Sequence, residues 1–173
     1  MKTRLFLAVT GALWLIARPV AAQSTGPYSS TFSANVDVAY HEPGDDSNTG
    51  AHFDLAGTVK RSVPMVGIVG EVGFNHFSDA TVASVLGGAR VRIPIQDDRF
   101  LPFAELMLGL YHCGVCNEND LALQGGGGVD FRLPRRRSFM LRAQLDFRHV
   151  FTPLAGFDAL RLSGGIVLPL NAR

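Results

Sequence analysis

Hydrophobic and polar residues alternate along most of the chain, most clearly in residues 139–149, which read Phe-Met-Leu-Arg-Ala-Gln-Leu-Asp-Phe-Arg-His. The odd positions from 139 to 147 are apolar, whereas the even positions include two arginines and an aspartate. Because successive side chains of an extended strand point to opposite faces, the segment predicts a strand with one apolar and one charged face. Its length also matches that of a tilted strand crossing a bilayer, which takes roughly 9–11 residues.

Seven further segments share this two-residue period, and no helical period is found after residue 22. The predicted strands are 33–40, 51–60, 66–74, 84–93, 103–111, 121–133 and 159–168. Longer polar loops are predicted at 41–49, 75–83, 112–120 and 150–157, with short turns at the other connections. An even number of strands, with short turns at one end and longer loops at the other, is typical of outer-membrane barrels. We therefore predict an all-β fold, an eight-stranded antiparallel up-and-down transmembrane β-barrel.

The charged residues all fall on one of the two rows of the predicted strands. That row holds Asp37, Asp54, Glu71, Glu105, Asp130 and Asp146 together with Lys60, Arg90, Arg92, Arg132, Arg142, Arg148 and Arg161. Alternation alone also fits a soluble, secreted, lipocalin-like binding barrel with the apolar row inside. However, a nearly balanced charged row suits a sealed interior, where pairing offsets desolvation. A basic residue facing lipid would cost roughly 2–4 kcal/mol at mid-membrane, so we expect the apolar row to face lipid.

The inward charges are predicted to form a lumenal network. Its members are Glu71, Arg90, Arg92, Glu105, Asp130, Arg142, Asp146, Arg148 and Arg161. Ion pairs are expected, for example, among Glu71, Arg90, Glu105 and Arg142. An eight-stranded barrel has an interior just wide enough for side chains to fill it, so an open pore is not expected.

The first residues have the pattern of a secretory signal peptide. A basic start precedes an uncharged stretch at 5–17 and a small-residue site, which predicts cleavage between Ala22 and Gln23. Residues 23–173 would then form one barrel domain. Without residues 1–22 the chain has 13 basic and 15 acidic residues, and this balance argues against a nucleic-acid partner.

Cysteine and histidine residues are the remaining candidates for chemistry. Cys113 and Cys116 are expected to form a local disulfide in an oxidising compartment, although a metal site or unpaired thiols stay open. Four histidines lie near the long-loop ends of strands: His41, His76, His112 and His149. The alternation places His41 inward and the other three outward, so we predict neither a metal site nor a cofactor.

The leader, the eight alternating segments and the pattern of connections resemble small outer-membrane β-barrel proteins of Gram-negative bacteria, the OmpA-transmembrane-domain and opacity-protein type. The resemblance covers residues 30–170, but the chain ends in Arg173 and not in the aromatic residue common in such proteins. It implies a monomer in the cell outer membrane, in contact with outer-membrane lipids and inserted by the barrel-assembly machinery. The implied role is non-catalytic, either structural or in surface interaction with an extracellular partner through the long loops.

An enzymatic alternative rests on residues 76–79, His-Phe-Ser-Asp, which are similar to the His-x-Ser-Asn stretch of lipid A deacylases. An outward His76 beside Ser78 could activate a nucleophile against a lipid ester. A supporting carboxylate is not evident in the next predicted strand, so catalysis is not predicted.

Overall fold

The computed structural model describes residues 30–42, 47–60, 65–76, 81–93, 99–114, 118–133, 139–152 and 156–170. These residues form eight strands: β1 (Ser30–Glu42), β2 (Ser47–Lys60), β3 (Met65–His76), β4 (Thr81–Arg92), β5 (Phe100–Cys113), β6 (Glu118–Arg132), β7 (Met140–Phe151) and β8 (Phe157–Pro169). No helix long and apolar enough to cross a membrane lies within them. The predicted signal peptide and its cleavage site at Ala22–Gln23 lie outside the described residues.

Each strand pairs antiparallel with the next, and β8 pairs with β1 to close the barrel. Thr31 lies opposite Pro169, so the first and last described residues are at the same end of the barrel, which we call the terminal end. The opposite end, where β1 leads into β2, is the loop end. Closure gives every strand two neighbours, which satisfies the backbone N–H and C=O groups as lipid requires.

All eight predicted strands are confirmed, but the predicted alternation of long and short connections is wrong. At the loop end β1 and β2 stay paired as far as Tyr40 and Ser47, and only 43–46 separates the two strands. At the terminal end, by contrast, 93–99 and 133–139 separate β4 from β5 and β6 from β7. The two-residue pattern fades before the strands end because side chains beyond the apolar belt meet water on both faces. The backbone hydrogen bonds between neighbouring strands continue beyond the end of this pattern.

The two faces of the strands have opposite character. Large apolar side chains lie on the outside; Val36 is 70% exposed and Leu162 is 62% exposed. Inside, charged side chains pack with apolar ones such as Met107 and Leu101. This is the reverse of a lipocalin-like soluble barrel, whose apolar row would face inward. An apolar exterior around a charged interior is the arrangement that a bilayer requires.

Candidate functional site in the barrel interior

All nine residues of the predicted lumenal network are buried, none more than 6% exposed. Together with Asp37 and Asp54, they form two groups that share the barrel interior. The Arg90–Arg142 group consists of Arg90, Arg92, Arg142, Asp54, Glu105 and Asp130. The Arg148–Arg161 group consists of Arg148, Arg161, Asp37, Glu71 and Asp146.

In the Arg90–Arg142 group, Asp54 bridges two arginines. Its Oδ2 accepts hydrogen bonds from Arg90 Nη2 at 3.1 Å and from Arg142 Nη1 at 2.6 Å. Arg90 also donates through Nε to Glu105 Oε2 at 2.7 Å. Arg142 donates two parallel hydrogen bonds to Asp130, from Nε to Oδ1 at 2.7 Å and from Nη2 to Oδ2 at 3.1 Å. Such bidentate pairs fix geometry as well as charge.

Phe103 lies beside these two arginines and reinforces their placement. The guanidinium carbons of Arg90 and Arg142 lie 4.7 Å and 4.6 Å from the centroid of its ring. The negative face of an aromatic ring attracts a cation, most strongly where water is excluded. Arg92 completes the group by donating to Thr31 Oγ1 at 3.1 Å, with its Nη2 at 3.7 Å from Asp130 Oδ2.

In the Arg148–Arg161 group, Glu71 and Arg161 are the centre. Arg161 donates to both oxygens of Glu71, at 2.9 Å and 2.7 Å, and also to Asp146 Oδ2 at 2.8 Å. Asp37 Oδ2 lies 3.4 Å from Arg161 Nη1. Arg148 Nη2 donates to Glu71 Oε1 at 2.9 Å, so this carboxylate faces two guanidinium groups.

The register of the sheet explains part of this pairing. Arg90 faces Glu105 across β4 and β5, and Asp130 faces Arg142 across β6 and β7. Of the pairs expected from the sequence, Arg90 with Glu105 is present. Glu71 and Arg142 take other partners. Arg142 pairs with its cross-strand neighbour Asp130, whereas Glu71 on β3 pairs with Arg161 on β8 across the interior of the closed barrel.

Three inward residues outside the predicted network belong to the site: Asp37, Asp54 and His52. His52 is completely buried, and its Nδ1 lies 3.0 Å from Asp37 Oδ2. The potential ligand atoms of His52, Asp54 and Glu71 all lie within 4.8 Å of one another. The inward alternation of β2 was the signal in the sequence for His52, which lies within β2 and not at its loop end.

The loop-end histidines form local contacts with the following strand. His76 Nδ1 lies 3.2 Å from Thr81 Oγ1, and His112 Nδ1 lies 3.0 Å from Asn119 Oδ1. His149 pairs with Asp158 on the outer surface, where both side chains are partly exposed. The side chain of His41, together with Ser78 and Cys116, lies outside the described residues. The disulfide of Cys113, at the end of β5, therefore stays a prediction.

No protein-family model and no curated protein matches the sequence. Among solved structures, the chain is similar to Neisserial surface protein A, with 13% identity, a TM-score of 0.63 and coverage of 82% of this chain and 97% of that one. It is also similar to the outer-membrane enzyme PagL, with 13% identity, a TM-score of 0.54 and coverage of 80% and 99%. A third is Ail, the attachment invasion locus protein of Yersinia pestis, in complex with the heparin analogue sucrose octasulfate, with 12% identity, a TM-score of 0.50 and coverage of 81% and 98%. The chain thus has the fold of small eight-stranded outer-membrane β-barrels.

Proposed function

We propose that this protein is a non-catalytic barrel of the bacterial outer membrane with a structural or surface-interaction role. The buried ion-pair network carries the proposal, because it makes the interior a packed core. Near the loop end, Tyr111 and Phe157 pack edge to face at 5.6 Å between ring centroids. The cavity beside them measures about 10 Å³, on the order of a single water molecule.

A sealed interior predicts that the protein does not conduct ions. Purified barrel in planar lipid bilayers should show no large, steady conductance at 100 mV. Heat-modifiable mobility on gels of the same preparation checks that the barrel is closed. A steady conductance from closed barrel would refute the sealed interior, and a protein found only in the soluble fraction would refute the membrane location.

The surface role is proposed for the loop end, which is acidic. The segments 41–49, 75–83, 112–120 and 150–158 contain no Lys or Arg and seven acidic residues: Glu42, Asp45, Asp46, Asp79, Glu118, Asp120 and Asp158. The connections at the terminal end contain five arginines and two aspartates: Arg61, Arg99, Arg135, Arg136, Arg137, Asp97 and Asp98. Because like charges repel across an interface, an acidic loop end favours a cationic partner over a sulfated one.

Binding of charged probes to the barrel in nanodiscs tests this role. We expect poly-lysine to bind with an affinity that falls with added salt, and sucrose octasulfate not to bind. Replacing Asp45, Asp46, Glu118 and Asp120 by their amides should weaken poly-lysine binding at least tenfold. The matched control replaces Arg135, Arg136 and Arg137 by Gln at the other end and should leave binding unchanged or stronger. Equal binding by both variants would exclude the loop end as the interaction surface.

A lipid A deacylase is the second candidate, since residues 76–79 are similar to the His-x-Ser-Asn stretch of such enzymes and PagL, an outer-membrane enzyme, shares the fold. Against it, the Nδ1 of His76 lies beside the hydroxyl of Thr81, the position from which the carboxylate of a Ser-His-Asp triad would orient the imidazole. We therefore expect no release of acyl chains from lipid A by the folded barrel. Activity that is lost on Ser78→Ala would establish the enzyme and overturn the non-catalytic proposal.

A further inference from the structure

Two potential metal-binding atoms on fully buried side chains of β2 lack a hydrogen-bond partner within the described residues. One is His52 Nε2, since the other ring nitrogen of His52 is taken up by Asp37. The second is Asp54 Oδ1, since only Oδ2 of that carboxylate accepts the bonds from Arg90 and Arg142. Buried polar atoms are normally satisfied by protein groups, water or a bound ion.

The residues that carry these two atoms belong to a cluster that the sheet register holds in place. His52 and Asp54 are two residues apart on β2 and therefore point the same way, and Glu71 lies directly opposite Asp54 on β3. Gly73, opposite His52, contributes no side chain to the interior; a Cβ there would lie 3.6 Å from the Cβ of His52. The potential ligand atoms of His52, Asp54 and Glu71 lie within 4.8 Å of one another.

The net charge of the buried groups in the interior is also compatible with a bound cation. Within the described part of the chain, the buried side chains include six carboxylates, on Asp37, Asp54, Glu71, Glu105, Asp130 and Asp146, and five guanidinium groups, on Arg90, Arg92, Arg142, Arg148 and Arg161. With a neutral His52, this interior has one negative charge in excess. Buried charge is costly unless it is compensated; a divalent cation would change this net charge from −1 to +1, which is no further from neutrality.

We propose that His52, Asp54 and Glu71 bind a divalent transition-metal ion of the zinc type inside the barrel. Imidazole nitrogen together with carboxylate oxygen is a common donor set for zinc, with bonds of about 2.0–2.2 Å. Asp37 would act on the metal indirectly, since a carboxylate on the second ring nitrogen fixes the tautomer and orientation of a ligating histidine. Arg161 and Arg148 remain on the oxygens of Glu71 and keep that carboxylate in position.

The test measures zinc retained by the folded barrel. The protein is refolded in detergent with Zn²⁺, washed with a chelator, and analysed for zinc per chain by atomic emission. Heat-modifiable mobility confirms that each variant is folded. We expect about one zinc per wild-type chain and at least a tenfold lower content in His52→Ala. Should His52→Ala fail to fold, His52→Gln, which retains a polar group beside Asp37, takes its place.

The matched control is His149→Ala, which removes a partly exposed histidine on the outer surface and should retain the wild-type zinc content. Refolding with Co²⁺ supplies an independent readout, because its visible absorption bands report nitrogen and oxygen ligands and should disappear in His52→Ala. A folded wild-type barrel without retained metal would overturn the proposal. So would equal zinc in wild type and His52→Ala, since that metal would be held by other residues.

Discussion

The inward and outward rows of β7 alternate residue by residue, yet they meet different physical requirements. Inward Arg142, Asp146 and Arg148 each contact particular partners on other strands. Outward Leu145 and Phe147 are about half exposed and need only be apolar. The difference teaches that the outside of this barrel is specified by residue class, whereas the inside is specified by individual pairs. Substitutions on the two rows should therefore destabilise the barrel for different reasons.

The largest effect is expected from Arg161→Met, which leaves Glu71, Asp146 and Asp37 without a shared guanidinium group. Removing one partner of a buried ion pair typically costs about 3–5 kcal/mol. The free energy of unfolding, from urea titrations in lipid vesicles, should fall by this amount. Arg99→Met, at the exposed residue just before β5, is the control and should change the free energy of unfolding by about 0.5 kcal/mol or less. Equal losses in both variants would mean that the interior network contributes no special stability.

A smaller effect is expected from Leu145→Arg on the outward row. A basic residue on the lipid face near mid-membrane costs roughly 2–4 kcal/mol, and the same titration should show it. Leu145→Ala, which keeps the position apolar, should cost clearly less. In a water-soluble barrel an arginine at this exposed position would be harmless, so an unaffected Leu145→Arg would contradict a lipid-facing exterior.

The smallest effect, and the sharpest contrast between the rows, is the energetic coupling of neighbours. Double-mutant cycles for Arg142→Met with Asp130→Leu should give a coupling within the roughly 0.5–3 kcal/mol typical of residues in contact, near the upper end because the pair is bidentate. The matched outward pair, Leu145 and Leu162, also faces each other across β7 and β8. A double-mutant cycle that replaces Leu145 and Leu162 by alanine should give a smaller coupling energy than the Arg142–Asp130 cycle. A larger coupling outside than inside would reverse the comparison.

The connections between strands show that the end of the two-residue alternation does not mark the end of a strand. The end of the alternation near Tyr40 was interpreted as the end of the strand, but β1 continues to Glu42 and β2 begins at Ser47. Alternation records the contrast between lipid and interior, and this contrast disappears once a strand extends beyond the membrane. The backbone hydrogen bonds that define a strand do not depend on that contrast.

The sequence by itself determined the eight strands and which residues of each strand share a face, because a two-residue period assigns every side chain to one of two faces. The lack of charge on one row then indicated that this row faces lipid. The sequence also determined that the interior charges nearly balance. Only the tertiary structure decided that Glu71 pairs with Arg161, that Asp54 bridges Arg90 and Arg142, and that His52 lies beside both carboxylates. These contacts join strands distant in the chain, and their partners are fixed by barrel closure and register, which no local pattern encodes.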